Sequence, residues 1–225
     1  MTVLTPGLNR DGQLEKWGIP GPLVSAFLGS RGIVVEKTEP YSILTLFTVG
    51  VTKGKWGSLV AGLMEFKRLY DANASLAQVL PDLVADHPER YGDLGLKDLA
   101  EAMHAEMAEA RLLETMDEAF TILPDAVLSP RDTYAELVRR KLDRIPVADM
   151  VERIAAVQLV PYPPGIPLMM PGEKVTQVNR VLVDYLLALQ TFDNHFPGFE
   201  HDTHGIEMER GADGKLTYMT YCLKT

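Results

Sequence analysis

Three groups of residues in this 225-residue chain have the types and spacing to do chemistry. The first is centred on Glu36, which interrupts the apolar run of residues 33–35 and on a strand would share a face with Val34. A carboxylate partly buried there needs a cation or hydrogen-bond donors to offset its desolvation. On the residues alone, a solvated glutamate at a strand end is the competing reading. Lys37 falls on the opposite face and is expected in solvent, while Thr38 returns to the Glu36 side, where it could orient that carboxylate or approach a ligand. The second is Tyr162, set among prolines, with a hydroxyl that can bond either a polar ligand or a partner in the core. The third is the cluster His195, Glu200, His201, Asp202, His204 and Glu207, whose imidazoles and carboxylates are metal-ligand types. Its spacing argues against a metal site. An H-x-x-H pair on extended chain sends its rings to opposite faces, no H-E-x-x-H helix is present, and a hydrogen-bonded structural corner is the expectation.

Other reactive arrangements are missing. There is no G-x-S-x-G elbow and no glycine-rich phosphate loop, and G-V-T-K-G-K at residues 50–55 reads as a helix-entry turn. Cys222 is the one cysteine, so no internal disulfide can form, and its place in Y-M-T-Y-C-L predicts a buried strand thiol.

The elements that must position these side chains follow from pattern. Residues 160–173 read V-P-Y-P-P-G-I-P-L-M-M-P-G-E, with proline and glycine too dense for helix or central strand. Linkers of this kind are polar, whereas Val160, Tyr162, Ile166, Leu168, Met169 and Met170 call for burial, so a packed wall is predicted. Residues 3–5 read as a short strand, and a helix opening at residues 18–22 presents Leu23, Val24, Phe27 and Leu28. Two strands, residues 33–38 and 43–49, turn at Glu39-Pro40. Trp56, Leu59, Val60, Leu63, Phe66 and Tyr70 then recur at helical spacing. Helices are predicted at 76–84, 96–109, 114–122 and 133–141, punctuated by Pro81, Pro88, Pro124 and Pro130. A last helix capped by Thr176 carries the stripe Val178, Val181, Leu182, Tyr185, Leu186 and Leu189, and a hairpin turning at Asp213-Gly214 closes the chain.

Composition bounds the function class. With 46% hydrophobic and 24% charged residues, the chain has material for a substantial core. A net charge of −9 argues against nucleic acid and anionic membrane surfaces as partners. Its apolar runs are short and interrupted by charge, and no leader pattern opens the chain, so the cytoplasm is the expected location.

The proline segment resembles the signature near the C-terminus of the bacterial pyridoxal-phosphate-dependent ornithine/lysine/arginine decarboxylases. Three further strings match that family in the same order: G-I-V-V-E-K-T-E-P-Y-S from Gly32, M-E-F-K-R-L-Y-D from Met64, and H-F-P-G-F-E-H-D-T-H-G from His195. The likeness covers almost the whole chain and corresponds to the last third of such an enzyme. It implies an α+β fold: residues 1–79 as part of the small β-α-β-β-α subdomain of a fold-type I pyridoxal enzyme, and residues 80–225 as the family's C-terminal domain. It also implies a basic amino acid as substrate, with lysine or arginine favoured by E-K-T-E-P-Y-S and L-F-T-V-G and ornithine left open, Glu36 facing the distal amine, Thr38 orienting that glutamate or approaching the substrate, and Tyr162 closing the pocket.

The family's cofactor, pyridoxal 5'-phosphate, is held by a lysine in a Ser-x-His-Lys string, and no His-Lys pair occurs in these 225 residues. Catalytic, cofactor-binding and metal residues are accordingly not expected in this chain. It reads as a C-terminal portion whose N-terminal cofactor domain is missing, inactive by itself, and a dimer or larger homo-oligomer when complete. The competing reading is a self-contained binding or assembly module.

Overall fold

The computed structural model describes residues 1–224, which gather into two compact units, Met1–Ala108 and the residues from Glu109 onward. This packing boundary lies further along the chain than residue 80, where the resemblance places the start of the C-terminal domain.

The first unit opens with β1 (Thr2–Leu4), α1 (Gly21–Gly29), β2 (Lys37–Glu39), β3 (Ser42–Leu44) and α2 (Lys53–Asp71), in the predicted β-α-β-β-α order. The strands form one antiparallel sheet ordered β1-β3-β2, with Ile43 opposite both Val3 and Thr38. Pro20 and Pro22 suit the start of α1 because proline's fixed φ is already helical and its missing N–H is not needed there. Leu23, Phe27 and Leu28 are then fully buried, and the Phe27 ring meets Phe66 of α2 edge to face at 5.2 Å.

Both predicted strands are longer than the observed ones. Their pairing is limited by β3, which offers three residues, so the β-branched run at 33–35 has no partner and Val34 is 89% exposed. Residues 46–50 likewise lie exposed beyond the ladder. On α2 the buried side is Leu59, Gly62, Phe66, Leu69 and Tyr70, while Trp56 and Val60, expected inside, face out together with Met64.

Four helices complete this unit: α3 (Leu76–Val79), α4 (Pro81–Asp86), α5 (Pro88–Tyr91) and α6 (Leu96–Glu109). Pro81 splits the helix predicted over 76–84, because it cannot donate to the preceding turn and instead starts a new one. Asn73, at φ 44°, accepts the Lys97 and Asp98 amides through Oδ1 and donates to Asp98, tying down the first turn of α6. Deeper in, His104 places Nδ1 2.6 Å from the Tyr41 hydroxyl and Nε2 2.9 Å from the Glu15 carbonyl. A carbonyl only accepts, so Nε2 donates to it and Nδ1 accepts the hydrogen bond of the Tyr41 hydroxyl. Burial pushes the Tyr41 hydroxyl well above the ordinary phenol range.

The second unit contains α7 (Leu112–Thr121), β4 (Asp125–Ala126), α8 (Pro130–Val138), β5 (Leu142–Pro146), β6 (Val160–Tyr162), β7 (Glu173–Lys174), α9 (Val181–His195), β8 (Asp202–His204), β9 (Glu207–Arg210) and β10 (Leu216–Leu223). Its sheet is antiparallel in the order β5-β10-β9, with the β9–β10 turn at the predicted Asp213-Gly214. Along β10, Leu216, Tyr218, Thr220 and Cys222 alternate inward, on the sheet that packs against α9. Two smaller pairings, β4 with β7 and β6 with β8, hold the ends of the proline segment.

Ser129 caps α8 by accepting the Asp132 amide, and Pro130 takes its first position, so this helix starts three residues before the predicted 133. The start of α9 also differs. Thr176 does not cap it; buried Asn179 takes the Thr176 amide at 2.6 Å, the helix begins at Val181, and Val178 is left 87% exposed.

Candidate functional site

In the first unit, Glu36 sits at the end of the β2–β3 ladder, where its amide donates to the Leu44 carbonyl at 2.8 Å. Its carboxylate is exposed, which corrects the expectation of partial burial: the chain bends at residue 36, and pairing starts only at Lys37. Thr38 is half-buried opposite Ile43. Among the described residues neither side chain has a hydrogen-bond or ion-pair partner. Lys37 is committed elsewhere, its Nζ 2.5 Å from Glu39 on the other face of the strand. A carboxylate and a hydroxyl are thus left with their bonding capacity open, while the nearest cation in sequence is already neutralised.

In the second unit the proline segment is a wall on one side only. Val160, Leu168 and Met169 are buried, whereas Tyr162 is 43% exposed, with Ile166 and Met170 also outside. This corrects the expectation that all six apolar residues bury. The path turns sharply at Gly165, φ 76°, whose amide donates to the Pro161 carbonyl and whose missing Cβ leaves room for the Tyr162 ring. The tyrosine ring rests against His204 at 5.0 Å between centroids, and its hydroxyl has no partner among the described residues. Glu173 takes the Met170 amide at 2.6 Å, a structural role in the turn.

The members of the histidine cluster differ in burial. His201 is buried while His204 is exposed, and among the described residues no three metal-ligating side chains converge. His201 Nδ1 lies 2.6 Å from Asp193, a residue of α9 with no exposed surface. Asp193 also receives the His201 amide and the Tyr218 hydroxyl. Burial first, and then the neighbouring carboxylate, push the Tyr218 hydroxyl far above the ordinary phenol range. Pattern reading singled out His201 but missed Asp193. The signal was there: Asp193 continues the buried stripe four residues after Leu189, and a carboxylate in such a stripe requires donors.

Cys222 is buried as predicted, and burial pushes its thiol up to about 11, which leaves it protonated at neutral pH. No lysine among the described residues is buried. The two half-exposed ones, Lys37 and Lys174, are paired with Glu39 and Glu152. A lysine that anchors a pyridoxal group must be free to form the imine in an enclosed site, so the residues present do not fit that cofactor. Among the described residues no helix is long and apolar enough to cross a membrane.

Comparison with known proteins accounts for both units. Residues 113–224 match the family model for the Orn/Lys/Arg decarboxylase C-terminal domain, and residues 1–55 match that for the major domain. Lysine decarboxylase LdcA of Pseudomonas aeruginosa is 47% identical over 100% of this chain, and the biodegradative arginine decarboxylase of Escherichia coli is 43% identical over 100%. The chain spans 30% and 29% of the length of those two relatives. Among solved structures, the E. coli constitutive lysine decarboxylase superimposes with a TM-score of 0.92 at 41% identity, covering 99% of this chain and 31% of that one. With both domain models of one family matched in order and such identity from end to end, the chain belongs to the Orn/Lys/Arg decarboxylases.

Proposed function

We propose that these residues are the substrate-selecting C-terminal part of a decarboxylase that removes the α-carboxyl group of a basic amino acid, releasing carbon dioxide and a di- or polyamine. Lysine or arginine is favoured over ornithine, in keeping with the names of the relatives at 47% and 43% identity. The observation that carries the reading is the open carboxylate of Glu36, beside an unpaired Thr38 and with Lys37 neutralised by Glu39. Such a group is supplied with its missing cation by the distal ammonium or guanidinium of the substrate, and a neutral analogue leaves it unpaired. Tyr162, with a half-exposed ring and an open hydroxyl, is a further substrate-contacting residue of the complete enzyme.

Pyridoxal 5'-phosphate supplies the electron sink for loss of carbon dioxide in the complete enzyme. Its anchor belongs to residues outside this chain, so the chain by itself does not decarboxylate. The complete enzyme is expected to be cytoplasmic and a homo-oligomer.

The test is kinetic, on the complete enzyme. Glu36→Gln should raise KM for lysine or arginine roughly ten- to hundred-fold, the loss expected for one charged hydrogen bond, with a smaller change in kcat. An unchanged KM for both substrates would remove Glu36 from the site.

A second reading, an assembly module without a substrate role, has one observation in its favour. Trp56, Val60 and Met64 form an exposed stripe at i, i+4, i+8 on α2, with 46%, 47% and 70% exposure. Under that reading, Val60→Glu in the complete protein disrupts the oligomer while Glu36→Gln and Tyr162→Ala leave KM untouched.

A further inference from the structure

The buried Asp193 is not among the proposed substrate-contacting residues, yet it is connected to Tyr162 through a short covalent and hydrogen-bonded path. His201, which Asp193 holds through both its amide and its ring, directly precedes β8. That strand pairs with β6 so that Asp202 lies opposite Tyr162, Thr203 opposite Pro161 and His204 opposite Val160. We propose that the Asp193–His201 pair is a positioning device: it sets the register of β8 against β6 at the tyrosine end and so fixes where the Tyr162 ring stands. The proposal rests on the reading that Tyr162 contacts the substrate.

Three features make this pairing dependent on outside support. First, β6 is V-P-Y, followed by Pro163 and Pro164, and a proline has no N–H to give to a ladder. A strand with so few donors is weakly held in register by its own backbone. Second, the other end of β8 is secured independently, since Thr220 Oγ1 donates to the Gly205 carbonyl at 2.8 Å and Gly205 packs so tightly on Gln158 that a Cβ would lie 2.1 Å from its carbonyl oxygen. The end opposite Tyr162 is the one that needs His201. Third, the tyrosine side chain itself has little to hold it, namely the His204 ring, the space above Gly165, and the neighbouring Pro163 carbonyl secured by Tyr185 Oη at 3.3 Å.

A tight bond at His201 therefore has a consequence beyond stability. The carboxylate accepts from Nδ1, from the amide and from Tyr218, and the imidazole cannot swing away without stranding its own N–H and leaving a carboxylate oxygen short of a donor in a dry site. Rigid support of this kind keeps a binding group within the narrow range of geometry that discriminates substrates.

The test uses the complete enzyme with His201→Phe and His201→Asn, each made with Tyr162 present and in a Tyr162→Ala background. Amide exchange is followed over residues 158–166 and 202–206, and KM and kcat are measured for lysine and arginine. His201→Phe should accelerate exchange in both segments and raise KM about tenfold with a smaller change in kcat. His201→Asn, which retains an N–H donor for Asp193, should recover most of both effects. In the Tyr162→Ala background His201→Phe should add no further rise in KM. Unaccelerated exchange at 158–166 in His201→Phe overturns the positioning role whatever Tyr162 does. So does an equal rise in KM in the two backgrounds. If instead Tyr162→Ala by itself leaves KM unchanged, it is the substrate-contact reading that fails, and the exchange result still decides whether His201 sets the register.

Discussion

Replacing Asp193 with alanine should destabilise the second unit by about 4 kcal/mol. The carboxylate has no exposed surface and serves three donors: the His201 amide at 3.1 and 3.2 Å to its two oxygens, His201 Nδ1 at 2.6 Å, and the Tyr218 hydroxyl. Each donor left without an acceptor in a dry site costs about 1–3 kcal/mol, and limited relaxation or water entry recovers part of it. Breaking a buried charged pair by removing one partner typically costs about 3–5 kcal/mol, which agrees. Tyr218→Phe removes a single donor while leaving the carboxylate its other bonds, and should cost about 1 kcal/mol. Urea unfolding of the chain, followed by circular dichroism, separates the cases. With a slope near 2 kcal/mol per molar urea, Asp193→Ala moves the midpoint down by about 2 M, and Tyr218→Phe by about 0.5 M. A loss for Asp193→Ala below about 1 kcal/mol, or an equal loss for Tyr218→Phe, would refute the account of a carboxylate shared by three buried donors.

Two other expectations concern titration. Cys222, fully buried with its thiol pushed up to about 11, should resist alkylation in the native chain at mildly alkaline pH and react at the rate of an ordinary thiol once denatured; equal rates in both states would contradict its burial. The Asp98 carboxyl is held below the usual range by the Asn73 side chain and then by the Gly95 amide. A depressed acid contributes stability that is present above its unfolded pKa of about 3.9 and lost as pH falls through the folded value. The stability difference between the wild type and Asp98→Ala should therefore be full at neutral pH and shrink on acidification below about pH 4; a gap that widens in acid would reverse the sign of the argument.

How much of this was legible in sequence depends on whether the signal was local. The helix over 96–109 and the hairpin turning at Asp213-Gly214 were, because a 3.6-residue period and a φ-permissive turn are written within a few residues of each other. Strand length was not. Residues 33–35 have every local mark of a strand, but a strand ends where its partner ends, and β3 is three residues long. Burial of the proline segment was half legible for a similar reason: its apolar character is local, but which side meets β8 and which faces outward is set by strand pairing forty residues away. Glu36 and Tyr162 were both nameable from residue type and neighbours, and both turn out more exposed than their apolar surroundings imply. Asp193 marks the opposite case, a buried polar group inside an apolar helical stripe: its place four residues after Leu189 shows that donors are required, but which donors, on His201 and Tyr218, only the fold supplies.

The most direct test of substrate selection is a structure of the complete enzyme with lysine or arginine bound. A Glu36 carboxylate oxygen within about 3 Å of the distal nitrogen of the substrate is the predicted result. A substrate whose distal nitrogen is met by other groups, while Glu36 points into bulk solvent, would contradict it.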